Sequence, residues 1–162
     1  MNAPRAHDAR WLALTRRAKL LSWLTLGWLG IEGAVGIVFG IVAGSIALIG
    51  FGIDSGIEAI ASIVIVWRFT GKRTLSETAE RRAQKLVAVS FFLLAPYVAV
   101  EAVRNLVGGA HPSTSYVGIA LSVGAIITMI PLGLAKKRLG DALGSRATSG
   151  EGTQNLLVHT SP

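Results

Sequence analysis

The chain has 162 residues, 51% hydrophobic and only 15% charged, a balance foreign to a soluble domain of that length. The formal net charge is +7, but the basic residues flank apolar stretches, which anionic lipid explains better than nucleic acid, so nucleic acid is not expected as a partner. With no cysteine, a disulfide framework and a thiolate metal site are both excluded.

Residues 1–19 are polar and basic, with Arg5, Arg10, Arg16, Arg17 and Lys19 set against Asp8 alone. The first few positions are expected to be disordered, and Trp11, Leu12 and Leu14 suggest a short helix at a membrane surface. The apolar stretch that follows is too long for a signal peptide core and lacks an Ala-x-Ala cleavage site, so a retained membrane helix is expected. Residues 20–43 form the first expected span. It contains Glu32 and a run of glycines, of which Gly36, Gly40 and Gly44 make two overlapping small-xxx-small steps.

Gly44 and Ser45 leave room only for a tight turn, so the second span, 46–67, should pack antiparallel to the first. Gly33, Gly36 and Gly40 are expected to meet Gly52 and Gly56 across that hairpin. Trp67 and Arg68 mark the exit at a headgroup layer. A charged loop over 68–85 follows. Ser76 is placed to cap a helix that runs into the third span, 86–107, where Pro96 should kink the helix or free a carbonyl. Glu101 and Arg104, three apart, are expected to pair. The stretch 108–115 is an uncharged loop in which His111 reads as an ordinary surface residue. The fourth span, 116–135, is closed by Lys136, Lys137 and Arg138. In 139–162 only Leu156, Leu157 and Val158 are consecutively apolar, too few to cross a bilayer, and a poorly ordered tail is expected.

The sequence therefore predicts an all-α, polytopic membrane helix bundle with four transmembrane helices. A basic cytoplasmic segment over 1–19 precedes a transmembrane domain over 20–138, and a cytoplasmic tail covers 139–162. Of the 16 Lys and Arg, all but Arg104 fall before the first span, between the second and third, or after the fourth. The positive-inside rule then places both termini in the cytoplasm of a cell-membrane protein in contact with anionic lipid.

Two acids stand inside the second span. Asp54 and Glu58 are four apart, on one helical face and about 6 Å from each other. An ionisable residue at that depth is costly, and function is the default reading. Counting from the Gly44–Ser45 turn at 1.5 Å per residue puts Glu32 and Asp54 roughly 15–18 Å deep, near mid-bilayer. Ser55 and Ser62 add hydroxyls near the same stripe. Three ionised carboxylates at one depth repel, so a cation or protons among them would resolve the repulsion. Oxygen ligation of a metal, a proton relay, and hydrogen bonding between helices all use such groups. No nucleophile–histidine pair exists and every histidine lies outside the spans, so neither an enzyme nor a resident cofactor is expected.

The run from Gly44-Ser45-Ile-Ala-Leu through Asp54-Ser55 to Glu58 resembles the second transmembrane helix of the cation diffusion facilitator family. That helix carries a GSxAL…DS…[DE] pattern, with two metal-binding acids four apart. Tyr97 and Glu101-Ala-Val-Arg104-Asn-Leu are similar to the family's YxxxEAxRxL region in helix three. The resemblance covers about residues 20–158. It implies exchange of a divalent metal, zinc above all, for protons by a homodimer, with Asp54 and Glu58 as metal ligands. Glu32, serines, water or a partner chain would complete the shell. Glu58 stands where an aspartate is common. Gln154 and Val158 stand where the family's fifth helix supplies a histidine and an aspartate. A divergent transporter, or a fragment of one ending before helix five, is the expected reading. A non-transporting membrane scaffold or assembly subunit is the alternative.

Overall fold

The computed structural model describes residues 5–107 and 116–160; the loop 108–115 with His111, and a few side chains, Glu101 and Val158 among them, lie outside the described residues. The fold is all-helical. Its α-helices are α1 (Arg5–Ala43), α2 (Ile46–Arg68), α3 (Glu77–Val107), α4 (Tyr116–Leu143) and α5 (Arg146–Thr160), with a short 3-10 turn at Gly71–Leu75. Three stretches are long and apolar enough to cross a membrane: Ala9–Ala43, Ile46–Arg68 and Tyr116–Leu143.

Burial is inverted relative to a soluble protein. Val42 is 81% exposed, Ile127 68% and Ile41 67%, whereas Ser22, Thr25, Ser62, Lys136, Thr148 and Gln154 are fully buried. An apolar exterior around a polar interior is stable only where lipid, not water, is the solvent.

Two expectations change at the ends of the chain. The basic N-terminal segment is not separate from the first span: α1 is one helix of 39 residues, roughly 58 Å long at 1.5 Å per residue. Over its described residues, 139–160, the last stretch is helical and not a poorly ordered tail. Helix α4 continues to Leu143, and α5 turns back against it. The composition of α5 is polar, which reads as a tail, but Thr148, Glu151, Gln154 and Asn155 face inward.

Both hairpin turns are built alike. Gly44 and Gly144 adopt φ of 62° and 64°, a left-handed conformation that L side chains avoid. Ser45 N–H donates to the Gly40 carbonyl at 2.8 Å, and Ser145 N–H donates to the Gly140 carbonyl at 2.9 Å. Each serine then caps the next helix, Ser45 Oγ accepting from Leu48 N–H and Ser145 Oγ from Thr148 N–H. Ser145 Oγ also lies 2.9 Å from Glu80 Oε1. Ser145→Ala should therefore lower the thermal transition in detergent more than Ser45→Ala, which removes only a cap worth about 1 kcal/mol.

The glycine contacts fall on Gly33, Gly36 and Gly40, as the spacing predicts, but not on Gly56. A Cβ on Gly52 would sit 2.9 Å from the Gly33 carbonyl, and one on Gly40 would sit 2.8 Å from Ile49 N. A Cβ on Gly56 would meet nothing within 4 Å. Helix α2 turns Gly56 to the exterior because Ser55, Glu58 and Ser62 occupy its inner face. In the second hairpin, a Cβ on Gly152 would stand 2.7 Å from the Gly133 carbonyl.

Helix α3 starts where Ser76 Oγ accepts from Ala79 N–H at 3.2 Å, and it stays helical through Pro96. Its Glu80 joins three elements. It pairs with Arg68 Nε of α2 at 2.9 Å and accepts from Ala147 N–H of α5 at 3.2 Å. A carboxylate at a helix N-terminus complements the exposed N–H groups and the macrodipole. The Leu143 carbonyl lies 3.4 Å from Trp11 Nε1. The α4–α5 turn thus sits beside the start of α1 and the end of α2, opposite the Gly44–Ser45 turn.

Candidate functional site

Glu58 is 2% exposed on α2 and Glu32 is 1% exposed on α1. Asp54, one turn from Glu58, is half-buried. Gly33 packs on Gly52, which brings Glu32 to the level of Asp54, in agreement with the depth counted from the turn. Among the described residues, however, no three acidic or histidine side chains converge closely enough to hold a metal ion. The structure places Asp54 and Glu58 on one helix face and does not gather Glu32 with them into a three-acid cluster.

What reaches Glu58 comes from α5. Asn155 Nδ2 donates to Glu58 Oε1 at 2.6 Å. Lys136 Nζ of α4 donates to Asn155 Oδ1 at 3.0 Å and pairs with Glu151 Oε1 at 2.8 Å. Ser22 of α1 donates to Glu151 Oε2 at 2.8 Å. A chain of hydrogen bonds therefore links α2, α5, α4 and α1 through Glu58, Asn155, Lys136, Glu151 and Ser22, all of them buried. The lysine ammonium can only donate, so it requires the Asn155 carbonyl oxygen to face it. The amide NH2 must then face Glu58, and this contact assigns the orientation of the carboxamide.

A second polar group lies beside the first. Ser90 Oγ of α3 is 3.1 Å from Gln154 Oε1. Gln154 Nε2 and Ser62 Oγ are buried without a hydrogen-bond partner among the described residues. Both lie on α5 and α2, the helices that meet at Glu58.

Lys136 is the clearest departure from the sequence reading, which sets it among the headgroup cations that close the fourth span. Lys137 and Arg138 are exposed, but Lys136 is fully buried. Its neighbours Gly133 and Gly140 belong to the face of α4 that packs on α5, and Lys136 shares their helical stripe. Ser22, Glu151 and Asn155 were equally unmarked as functional residues. Their signal was the small-residue spacing around them, which turns one face of α5 inward. The expected Glu101–Arg104 pair lies outside the described residues.

No family model matches the chain, and no solved structure matches it.

Proposed function

We propose that the protein carries a divalent cation, zinc or one like it, across the cell membrane in exchange for protons. Asp54 and Glu58 are the metal ligands, and Glu32 is an accessory acid on α1. The observation that carries this reading is Glu58: a buried carboxylate inside an apolar-sided helix bundle, reached by an amide from a second helix. Membrane-buried acids are expensive and mark ion paths. The likeness of α2 to the ligand helix of cation diffusion facilitators supports the same chemistry, and carboxylates exchange metal for protons on the same oxygens.

In this reading α3 also crosses the membrane, as the third of four spans in chain order. One face of it is buried through Ala79, Ala83 and Val87, and apolar side chains off that face, such as Phe92 at 78% and Val107 at 82% exposed, meet lipid in this reading. Both termini are cytoplasmic by the distribution of basic residues. A zinc ion takes four ligands, and Asp54 with Glu58 supply two. Water, hydroxyls, Glu32 or a second copy of the chain in a homodimer complete the shell.

Reconstitution tests the proposal. Proteoliposomes holding a zinc-sensitive dye and bearing a proton gradient should take up zinc, and Asp54→Asn should slow uptake by about tenfold or more. Equal rates in the two proteins would overturn transport through this pair. A second reading is a membrane scaffold whose buried acids join helices, which the hydrogen bond from Asn155 of α5 to Glu58 of α2 favours.

A further inference from the structure

The two glycine-serine hairpins share a sequence pattern. Gly40-x3-Gly44-Ser45-x-Ala47-x2-Gly50-x-Gly52 recurs as Gly140-x3-Gly144-Ser145-x-Ala147-x2-Gly150-x-Gly152, with each residue 100 positions from its counterpart. The contacts recur in the same register. Gly33 and Gly52 approach as Gly133 and Gly152 do, and Gly40 meets Ile49 as Gly140 meets Ser149. Burial recurs too: Thr25 and Ala125, Leu29 and Met129, Ser55 and Asn155 are buried in both copies. The α4–α5 turn lies by Trp11 and Arg68, at the end of the bundle opposite Gly44–Ser45. The two hairpins therefore run in opposite senses through the bundle, and α2 of one meets α5 of the other where Glu58 touches Asn155.

The copies are not equivalent in burial. At the Gly144 end, Ala147, Ser22, Glu151 and Gln154 are buried. Their counterparts at the Gly44 end are Ala47 and Ser122, both exposed, and Phe51 and Asp54, both half-buried. The Lys136–Glu151 ion pair belongs to the second hairpin alone, because Gly36 and Phe51 hold those places in the first. Through Ser22 and Asn155 this pair ties the second hairpin to α1 and α2 of the first.

We propose that the hairpins are an inverted-topology repeat and that this structure is the arrangement closed at the Gly144 end, with Lys136, Glu151 and Ser22 as the gate that closes it. The inference rests on the transport reading and extends it to how the site changes sides. Opposed copies of one unit can exchange environments, since whatever packing one copy adopts, the other can adopt with the ends reversed. In the exchanged arrangement the gate parts, Ala147 opens to the cytoplasmic side, and Ala47 becomes covered. Asp54 and Glu58 stay at the meeting of the two copies and change the side from which they are reached. Neutral amides in place of the pair would remove the charge-assisted hydrogen bonds by which Lys136 and Glu151 hold the gate together.

The chain has no cysteine, so single cysteines at Ala47 and Ala147 report on the two ends with a small change of volume. Both variants would be reconstituted and treated with a membrane-impermeant thiol reagent from each side, with and without cobalt(II). They would be treated again in a Lys136→Gln/Glu151→Gln background and, as a milder opening of the gate, in Ser22→Ala. Ala47→Cys should react and Ala147→Cys should be protected in the parent. In the gate variants, Ala147→Cys should lose its protection while Ala47→Cys gains it. Exchange in the gate variants without any response to cobalt would uphold the inverted repeat and overturn the cation reading instead. If both gate variants leave both cysteines as they are in the parent, or open one end without closing the other, the proposal is wrong.

Discussion

Lys136→Met is expected to destabilise the protein more than any surface substitution, by about 3–5 kcal/mol, because it leaves Glu151 charged and buried without its cation. Glu151→Leu should cost a similar amount by stranding Lys136. The double variant Lys136→Met/Glu151→Leu should recover most of the loss, since a well-packed apolar pair avoids the desolvation that the ion pair suffers. Monodisperse yield and the thermal transition in mild detergent measure this directly. Additive losses in the double variant would show that the two residues are not coupled. Lys137→Met is the natural control, as its side chain is exposed one residue away. The pair is thus weak evidence for stability in itself. Its effect comes from what its removal leaves behind and from the carboxamide it holds in place against Glu58.

Much of the architecture was legible in the sequence because lipid imposes simple rules. The apolar stretches of α1, α2 and α4, the turn at Gly44–Ser45 and the cap at Ser76 all appear where length, glycine and serine chemistry place them. The pairing of Asp54 with Glu58 on one face follows from their spacing alone. Helix α5 was not legible as a helix. Its Thr, Ser, Gln and Asn residues resemble those of a solvated tail, and only tertiary packing against the neighbouring helices explains them. Lys136 was misread for a related reason. A lysine next to Lys137 and Arg138 reads as part of a headgroup cluster, and the helical period that turns it inward matters only once a partner for α4 is known.

The second hairpin had a signal that periodicity arguments pass over. Gly144-Ser145 repeats Gly44-Ser45 together with the glycines around it, but the intervening side chains differ in polarity. Ile49 and Phe51 of one copy correspond to Ser149 and Glu151 of the other. A hydropathy reading separates these copies, whereas the backbone requirements of a close-packed hairpin make them alike: a left-handed turn, a cap and a bare Cα at each crossing.

The second large effect concerns the acids themselves, and it is also the most direct test of the central claim. Metal and protons compete for the same carboxylate oxygens, so cobalt or zinc should bind more tightly as pH rises from about 5.5 to about 8. Purified protein in detergent would be titrated with cobalt across that range beside Asp54→Asn, Glu58→Gln and Glu32→Gln. Removing either α2 acid takes away one of the two proposed first ligands and should reduce affinity about a hundredfold, while Glu32→Gln should have a smaller effect. Asn155→Leu should fall between them, since it removes the amide that orients Glu58 without removing a carboxylate. Saturable binding by the parent that strengthens with pH and collapses in Asp54→Asn is the expected result. A parent that binds cobalt no better than Asp54→Asn at any pH would contradict it.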